Sequence, residues 1–161
     1  MNLTSQIGKL RIPFLSKKDF FSPGEKKQII EAIRDAEQQT SGEIRVYVES
    51  RCRYVDPLDR AAEVFWMLKM DQTSAQNGVL LYVAIKDRQL ALFGDRGIHA
   101  KVGDEYWKEK TTKIVSQMKS GPYADAISKI VTEIGDALKL HFPYDQGTDK
   151  NELPDDIVFG R

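Results

Sequence analysis

The 161-residue sequence has little of several features that mark particular classes of protein. Its single cysteine, Cys52, excludes an internal disulfide and a metal site built from several cysteines. Because 24 Lys and Arg residues balance 24 Asp and Glu residues, we do not expect the basic surface that binds nucleic acid. No apolar run reaches the roughly 18–20 residues of a membrane span, and the N-terminus lacks the apolar core of a secretory signal. We therefore expect no transmembrane segment and, by default, a cytoplasmic location.

The composition fits one globular domain between two less ordered ends. Apolar residues make up 41% and charged residues 30% of a chain long enough for one core. We expect a flexible N-terminal arm over residues 1–20 and a folded domain over 21–142. Residues 143–161 are acidic and contain prolines and a glycine, so we expect a disordered tail there, including its apolar triplet at 157–159.

Apolar periodicity predicts the order α-β-α-β-β-α-α within the domain. Helices are expected over 22–40, 57–69, 104–118 and 122–141, and strands over 43–50, 79–85 and 88–93. The continuous apolar run at 79–85 is typical of a strand that is covered on both faces. The sequence therefore predicts an α/β fold, a three-layer α-β-α sandwich around a small mixed sheet.

The predicted topology sorts the acidic residues between the two ends of the sheet. A strand–helix–strand crossover makes the first two strands parallel, and the following hairpin reverses the third. Glu43, the 71–78 loop and the 94–104 loop then share one end, which we call the Asp95 end. The opposite end receives three other acids, Asp56, Asp59 and Asp87.

Four residues at the Asp95 end are candidate metal ligands: Asp71, Asn77, Asp95 and Asp104. Carboxylate and amide oxygens that converge from loops suit Ca²⁺, whereas Mg²⁺ would use fewer protein oxygens and keep more waters. Their spacing matches no EF-hand. Structural roles fit the same residues: Asp71 and Asn77 as turn formers, Asp95 in a left-handed conformation, and Asp104 as a helix N-cap. Residue types alone leave both interpretations open.

The remaining chemically active side chains form no recognisable catalytic motif. His99 and His141 lie far apart in sequence, and no Ser-His-Asp or Cys-His arrangement can be read from the spacings. We expect His99 to be a solvated loop residue. Phe65, Trp66 and Trp107 fall on helical faces and are expected in the core.

Several segments resemble the TPM domain family, which has plant, bacterial and animal members. They are TSGEIRVYV (40–48), DRAAEVF (59–65), MDQTSAQNGVLLYVAIKDRQLALFGDRGI (70–98), VGDEYW (102–107) and GPYADAI (121–127). The resemblance covers about residues 22–140 and implies a helix–sheet–helix sandwich, Rossmann-like but without a dinucleotide motif. It also implies an acidic loop site that can hold Ca²⁺, and Asp71, Asn77, Asp95 and Asp104 are the residues that match it.

The resemblance leaves two main hypotheses for function. One is a monomeric Ca²⁺-binding domain that acts as an interaction or regulatory module for an unknown protein partner, as an animal relative suggests. The other is a weak metal-assisted acid phosphatase on phosphate monoesters, as suggested for plant relatives, with Arg96 and Lys101 as the nearest cations for phosphate oxygens. A scaffold or homodimer without metal is a third option. Because many bacterial members carry a membrane helix that this sequence lacks, we expect a soluble bacterial member.

Overall fold

The computed structural model describes residues 20–144 and 157–160. The elements in these ranges are α1 (Pro23–Glu37), β1 (Glu43–Glu49), α2 (Pro57–Met67), β2 (Gly78–Ala84), β3 (Gln89–Gly94), α3 (Arg96–Val102), α4 (Asp104–Ser120), α5 (Tyr123–His141) and β4 (Ile157–Phe159). The predicted arm up to residue 19 and most of the predicted tail, 145–156 and 161, lie outside the described residues.

The sheet has the order β3-β2-β1-β4 and is mixed, as predicted. Strand β1 runs parallel to β2 and to β4, whereas β2 and β3 form an antiparallel hairpin. One face packs against α1, α4 and α5 and contains the larger apolar core. The other face packs against α2 through Ala61, Val64 and Phe65. The three-layer α/β fold expected from the sequence is confirmed.

Local capping explains where the first two helices begin. The Ser22 side chain accepts a hydrogen bond from the Glu25 N–H, and the Glu25 side chain accepts one from the Ser22 N–H. Pro23 lies between the two residues of this capping box, and its fixed φ suits the first helical position. Asp56 caps α2 in a similar way by accepting from the Leu58 N–H at 2.8 Å. Both helix starts agree with the sequence prediction.

Two segments differ from the sequence prediction. The 94–104 segment, expected to be a loop, contains the seven-residue helix α3, which is too short for its apolar period to show. Residues Ile157–Phe159, expected in the free tail, pair with β1 as strand β4 and bury Ile157. For these three residues the prediction of disorder is wrong, because an open strand edge offers backbone partners that local composition does not reveal.

The expectation that Trp66 lies in the core is also wrong, because 55% of its surface is exposed. Helix α2 is amphipathic, but its buried stripe is formed by Ala61, Val64 and Phe65. Trp66 therefore lies outside this buried stripe, and so does Leu58, two helical turns earlier. Within the described part of the chain, no helix is both long and apolar enough to span a bilayer.

Candidate functional site

The two loops predicted to share the Asp95 end are joined by backbone hydrogen bonds. The Asp95 N–H donates to the Gly78 carbonyl at 2.9 Å, and the Gly97 N–H donates to the Gln76 carbonyl at 2.8 Å. A Cβ on Gly97 would collide with the carbonyl oxygens of Ala75 and Gln76, so glycine permits this close approach. The two loops therefore meet where the predicted topology placed them.

Asp95 is the N-cap of α3 and has extended backbone, φ −67° and ψ 169°. The left-handed interpretation is therefore wrong. Its Oδ1 accepts a hydrogen bond from the Arg96 N–H at 2.7 Å, while its Oδ2 is buried and has no hydrogen-bond partner among the residues that the structure describes. Burial raises the pKa of Asp95; the hydrogen bond and charge of Arg96 oppose this shift, and the charge of Asp71 adds to it. Asp71 and Asp95 are thus electrostatic neighbours.

Asn77 lies at the end of the adjoining loop and is only 1% exposed. Its Nδ2 donates to Ser41 Oγ at 3.2 Å, and its backbone N–H donates to Thr73 Oγ1 at 3.4 Å. Its Oδ1 is buried and finds no hydrogen-bond partner within residues 20–144 and 157–160. A buried acceptor that lacks a hydrogen bond destabilises the folded state. A second acceptor of this kind, Asp95 Oδ2, belongs to the neighbouring loop.

Asp104 is placed differently from the other three predicted residues. It is the first residue of α4, and Gly103 is the N-cap, so the N-cap interpretation of Asp104 is wrong. The Asp104 side chain is 80% exposed, and its Oδ1 lies 3.3 Å from Nε2 of His99. Asp104 lines the same cavity as Asp95, but its carboxylate is turned toward a histidine.

The oxygen ligands that the side chains offer at the Asp95 end meet the needs of a hard cation only in part. Among residues 20–144 and 157–160, no three or more His, Cys, Asp and Glu side chains are grouped closely enough to hold a metal ion. What the loops offer is one unpartnered carboxylate oxygen of Asp95, one unpartnered amide oxygen of Asn77 and the nearby charge of Asp71. Ca²⁺ takes about 6–8 oxygens, so backbone carbonyls and water would supply the others.

His99 is a residue whose placement the sequence did not indicate. It lies on α3 rather than in a loop, and its Nδ1 accepts a hydrogen bond from the Trp107 indole N–H at 3.0 Å. Trp107, which was expected in the core, is only partly buried and packs against the edge of the larger apolar core. The Nε2 of His99 faces Asp104. The turn between α3 and α4 brings these three side chains together. Sequence analysis could have placed His99 correctly only by recognising residues 96–102 as a helix.

The comparisons with known proteins agree with this architecture. The family model of the TPM domain matches residues 15–137. The chain is similar to the solved structure of the BA42 protein from the psychrophilic bacterium Bizionia argentinensis, with 42% identity over 89% of this chain and 97% of that chain and a TM-score of 0.81. No match was found among curated proteins.

Two more distant solved structures share the fold. The N-terminal domain of the cg2496 protein from Corynebacterium glutamicum is 17% identical, with a TM-score of 0.57 over 75% of this chain and 76% of that chain. The N-terminal domain of a protein from P. gingivalis is 16% identical, with a TM-score of 0.63 over 78% of this chain and 83% of that chain. The family match covers most of the sequence, including both loops of the Asp95 end. The chain therefore belongs to the TPM domain family.

Proposed function

We propose that the chain is a Ca²⁺-binding domain that acts as an interaction or regulatory module. The observation that carries this proposal is the pair of buried, unpartnered oxygens, Asp95 Oδ2 and Asn77 Oδ1, on two loops that are hydrogen-bonded to each other. A cation bound there would satisfy both acceptors at once. Mg²⁺ would bind less well because it keeps several waters and demands a stricter geometry.

Charge supports the same proposal. Burial raises the pKa of Asp95, and the charge of Asp71 opposes ionisation of this carboxyl further, while Arg96 offsets the shift only in part. A divalent cation would supply further positive charge and favour the ionised form. In this arrangement Asp95 and Asn77 are direct ligands, Asp71 contributes charge, and Asp104 contributes least because it faces His99.

A binding role is favoured over an enzymatic one by what surrounds the reactive side chains. His99, the histidine at this end of the sheet, is engaged by Trp107 and Asp104. The Cys52 thiol donates to the Val55 carbonyl instead. Neither side chain is therefore arranged as part of a nucleophile–base pair. Bound Ca²⁺ would fix the 71–78 loop against α3, and a partner could then recognise the ordered surface.

The experiment that tests this proposal is thermal unfolding of the full chain in EDTA, in Ca²⁺ and in Mg²⁺. Wild-type protein is expected to melt at a higher temperature in Ca²⁺, because a ligand that binds only the folded state stabilises it. Asp95→Asn should abolish this increase and Asn77→Ala should reduce it. Asp104→Asn should reduce it least. Asp59→Asn, on an exposed residue of α2, is the matched control.

The proposal is rejected if the melting temperature of the wild-type protein is the same in EDTA and in saturating Ca²⁺. It is also rejected if Asp95→Asn retains the full increase. An equal response of Asp59→Asn and Asp95→Asn would indicate a general effect of removing charge rather than a site.

A weak metal-assisted phosphatase is the second candidate, and one observation favours it. Arg96 and Lys108 line the cavity that also contains Asp95 and Asp104, so two cations stand where phosphate oxygens could bind. Lys101, the other cation expected from the sequence, does not line this cavity. Hydrolysis of para-nitrophenyl phosphate that falls in Asp95→Asn and in Arg96→Gln, but not in an exposed control such as Lys101→Gln, would support this function. Turnover unaffected by both site variants would assign the activity to a contaminant.

A further inference from the structure

A cavity of about 690 Å³ lies at the end of β3, between α2 and α4. Its walls are largely apolar and include Leu58 and Trp66 from α2, Phe93 from β3 and Trp107 from α4. We call it the two-tryptophan cleft. Its volume is within the range of small-molecule sites, about 300–1,000 Å³. The proposed Ca²⁺ site uses the acidic end of this region and gives no role to the apolar walls.

The wall formed by α2 exposes two large apolar side chains. Leu58 and Trp66 are 50% and 55% exposed, although other residues of α2 are fully buried. Trp66 is nevertheless held in place, since its ring packs edge-on against Phe65 at 5.8 Å. Phe65 in turn contacts Phe93, with 4.9 Å between the ring centres. An exposed but fixed aromatic surface in a concave site is typical of ligand binding.

The opposite wall is also fixed. The indole N–H of Trp107 donates to His99, and its ring packs edge-on against Tyr106 at 5.2 Å. A Cβ on Gly94 would collide with the Trp107 ring, so the absence of a side chain there lets the indole lie against the end of β3. Both tryptophans are thus oriented before any ligand arrives, which lowers the entropic cost of binding.

The charged side chains around the cleft indicate that its ligand carries a negative charge. Arg96 and Lys108 line it, both are exposed, and neither side chain forms an ion pair within the described ranges. Of the two acids in the lining, Asp95 is buried as the cap of α3, whereas Asp104 is exposed and faces His99. Two exposed cations therefore stand against one exposed carboxylate, so the exposed charge of the cleft is net positive.

We propose that the two-tryptophan cleft binds a small aromatic carboxylate. The ring would pack against Trp66 and Trp107, and the carboxylate would pair with Arg96 and Lys108. This goes beyond the proposed Ca²⁺-binding function, because it requires no metal ion and uses side chains other than those of the proposed Ca²⁺ site.

The whole sequence contains two tryptophans, and both line this cleft, which makes the test direct. In a ¹⁵N-labelled full chain the two indole N–H signals report on the cleft alone. Titration with 2-naphthoate in EDTA is expected to shift both signals, with a Kd below about 1 mM. The neutral analogue 2-naphthamide should bind at least about tenfold more weakly, because it lacks the charge that Arg96 and Lys108 recognise.

Variants separate the contributions of ring and charge. Arg96→Gln with Lys108→Gln should weaken 2-naphthoate binding about tenfold or more, whereas Lys101→Gln with Lys119→Gln removes equal charge outside the cleft and should change it little. Trp66→Ala should also weaken binding about tenfold. Trp66 is half exposed, so this variant is expected to fold, and a dispersed amide spectrum would confirm it.

The proposal is overturned if 2-naphthoate at about 5 mM, roughly five times the expected upper limit of Kd, shifts neither indole signal. It is equally overturned if the amide binds as tightly as the carboxylate, or if the Arg96 and Lys108 variant binds like wild type. Preferential binding of 2-naphthylmethylammonium would assign the cleft to cations and reject the proposal. Because EDTA is present throughout, failure of the Ca²⁺ proposal would not affect these outcomes.

Discussion

Nδ1 of His99 accepts a hydrogen bond from the indole N–H of Trp107 over 3.0 Å, and this contact joins α3 to α4. An acceptor at Nδ1 places the proton of the neutral imidazole on Nε2, which lies 3.3 Å from Asp104 Oδ1. The tryptophan therefore selects the histidine tautomer that can donate to Asp104. This relationship connects the apolar cleft to the acidic end of the site.

The first prediction concerns this tautomer. In wild-type protein, ¹⁵N chemical shifts at about pH 8 should show His99 protonated on Nε2. Trp107→Phe removes the donor while keeping an aromatic ring, so His99 should become a mixture of tautomers and the free energy of unfolding should fall by about 1 kcal/mol. His141, which is remote from this contact, is the internal control. An unchanged His99 spectrum in the variant would contradict the assigned hydrogen bond.

The second prediction concerns a buried ion pair at the opposite end of the sheet. Glu49 is buried and accepts two hydrogen bonds of 3.0 Å from Arg60, as well as one from the Tyr82 hydroxyl. Arg60→Met would leave that carboxylate without its charge partner and should cost about 3 kcal/mol. Tyr82→Phe removes the hydroxyl donor alone and should cost about 1–2 kcal/mol.

Urea denaturation of both variants measures these costs. The matched control is Lys27→Met, which removes an exposed pair with Glu31 at 4.0 Å and should change stability by less than about 0.5 kcal/mol. If Arg60→Met were as mild as Lys27→Met, Glu49 would have to be solvated in the folded protein, contrary to its burial.

The third prediction concerns the close contact at Gly97. An added methyl group would push against the carbonyls of Ala75 and Gln76, so Gly97→Ala should cost about 1–3 kcal/mol and displace the 71–78 loop from α3. Gly24→Ala, in the first turn of α1 where nothing is crowded, should leave stability the same or slightly higher. Thermal unfolding compares the two, and equal melting temperatures would show that the loop can yield without cost.

The fourth prediction concerns pH. Because burial raises the pKa of Asp95 above its ordinary 3.8, the folded state binds that proton more tightly than the unfolded state. The resulting stability is present below the ordinary value and is lost as pH rises through the raised pKa. Without metal, Asp95→Asn should therefore be more stable than wild type at about pH 7, and the difference should vanish in acid. Adding Ca²⁺ should reverse the order.

Glu133 provides a control, because its pKa is shifted in the opposite direction to that of Asp95. Burial alone would raise its pKa, but hydrogen bonds from Lys113 and Lys110 outweigh this and lower it. Its contribution to stability is thus present above the ordinary value of 4.5 and lost as pH falls through the lowered pKa. Glu133→Gln should be less stable than wild type near neutral pH. Melting temperatures in EDTA between about pH 3 and pH 8 test both variants. If both substitutions changed the stability near neutral pH in the same direction, the opposite pKa shifts of the two carboxyl groups would be contradicted.

Much of the architecture followed from patterns that are local in the chain. Apolar periodicity predicted the two helices that Ser22 and Asp56 cap, as well as the central strands over 43–50 and 79–85. Chain order then required β1 and β2 to be parallel, which placed Asp95 beside the 71–78 loop. These features depend on hydrogen bonding and burial patterns that repeat within a few residues, so sequence alone determined them.

Other features depended on contacts between distant segments. Only packing decided that Ile157–Phe159 joins β1, that Trp66 faces a cleft, and that His99 lies between Trp107 and Asp104. Likewise, the sequence supplied four candidate ligands, but tertiary structure left unpartnered oxygens on Asp95 and Asn77 and turned Asp104 elsewhere. Which side chain finds a partner is set by the fold as a whole, because burial and hydrogen bonding act across space rather than along the chain.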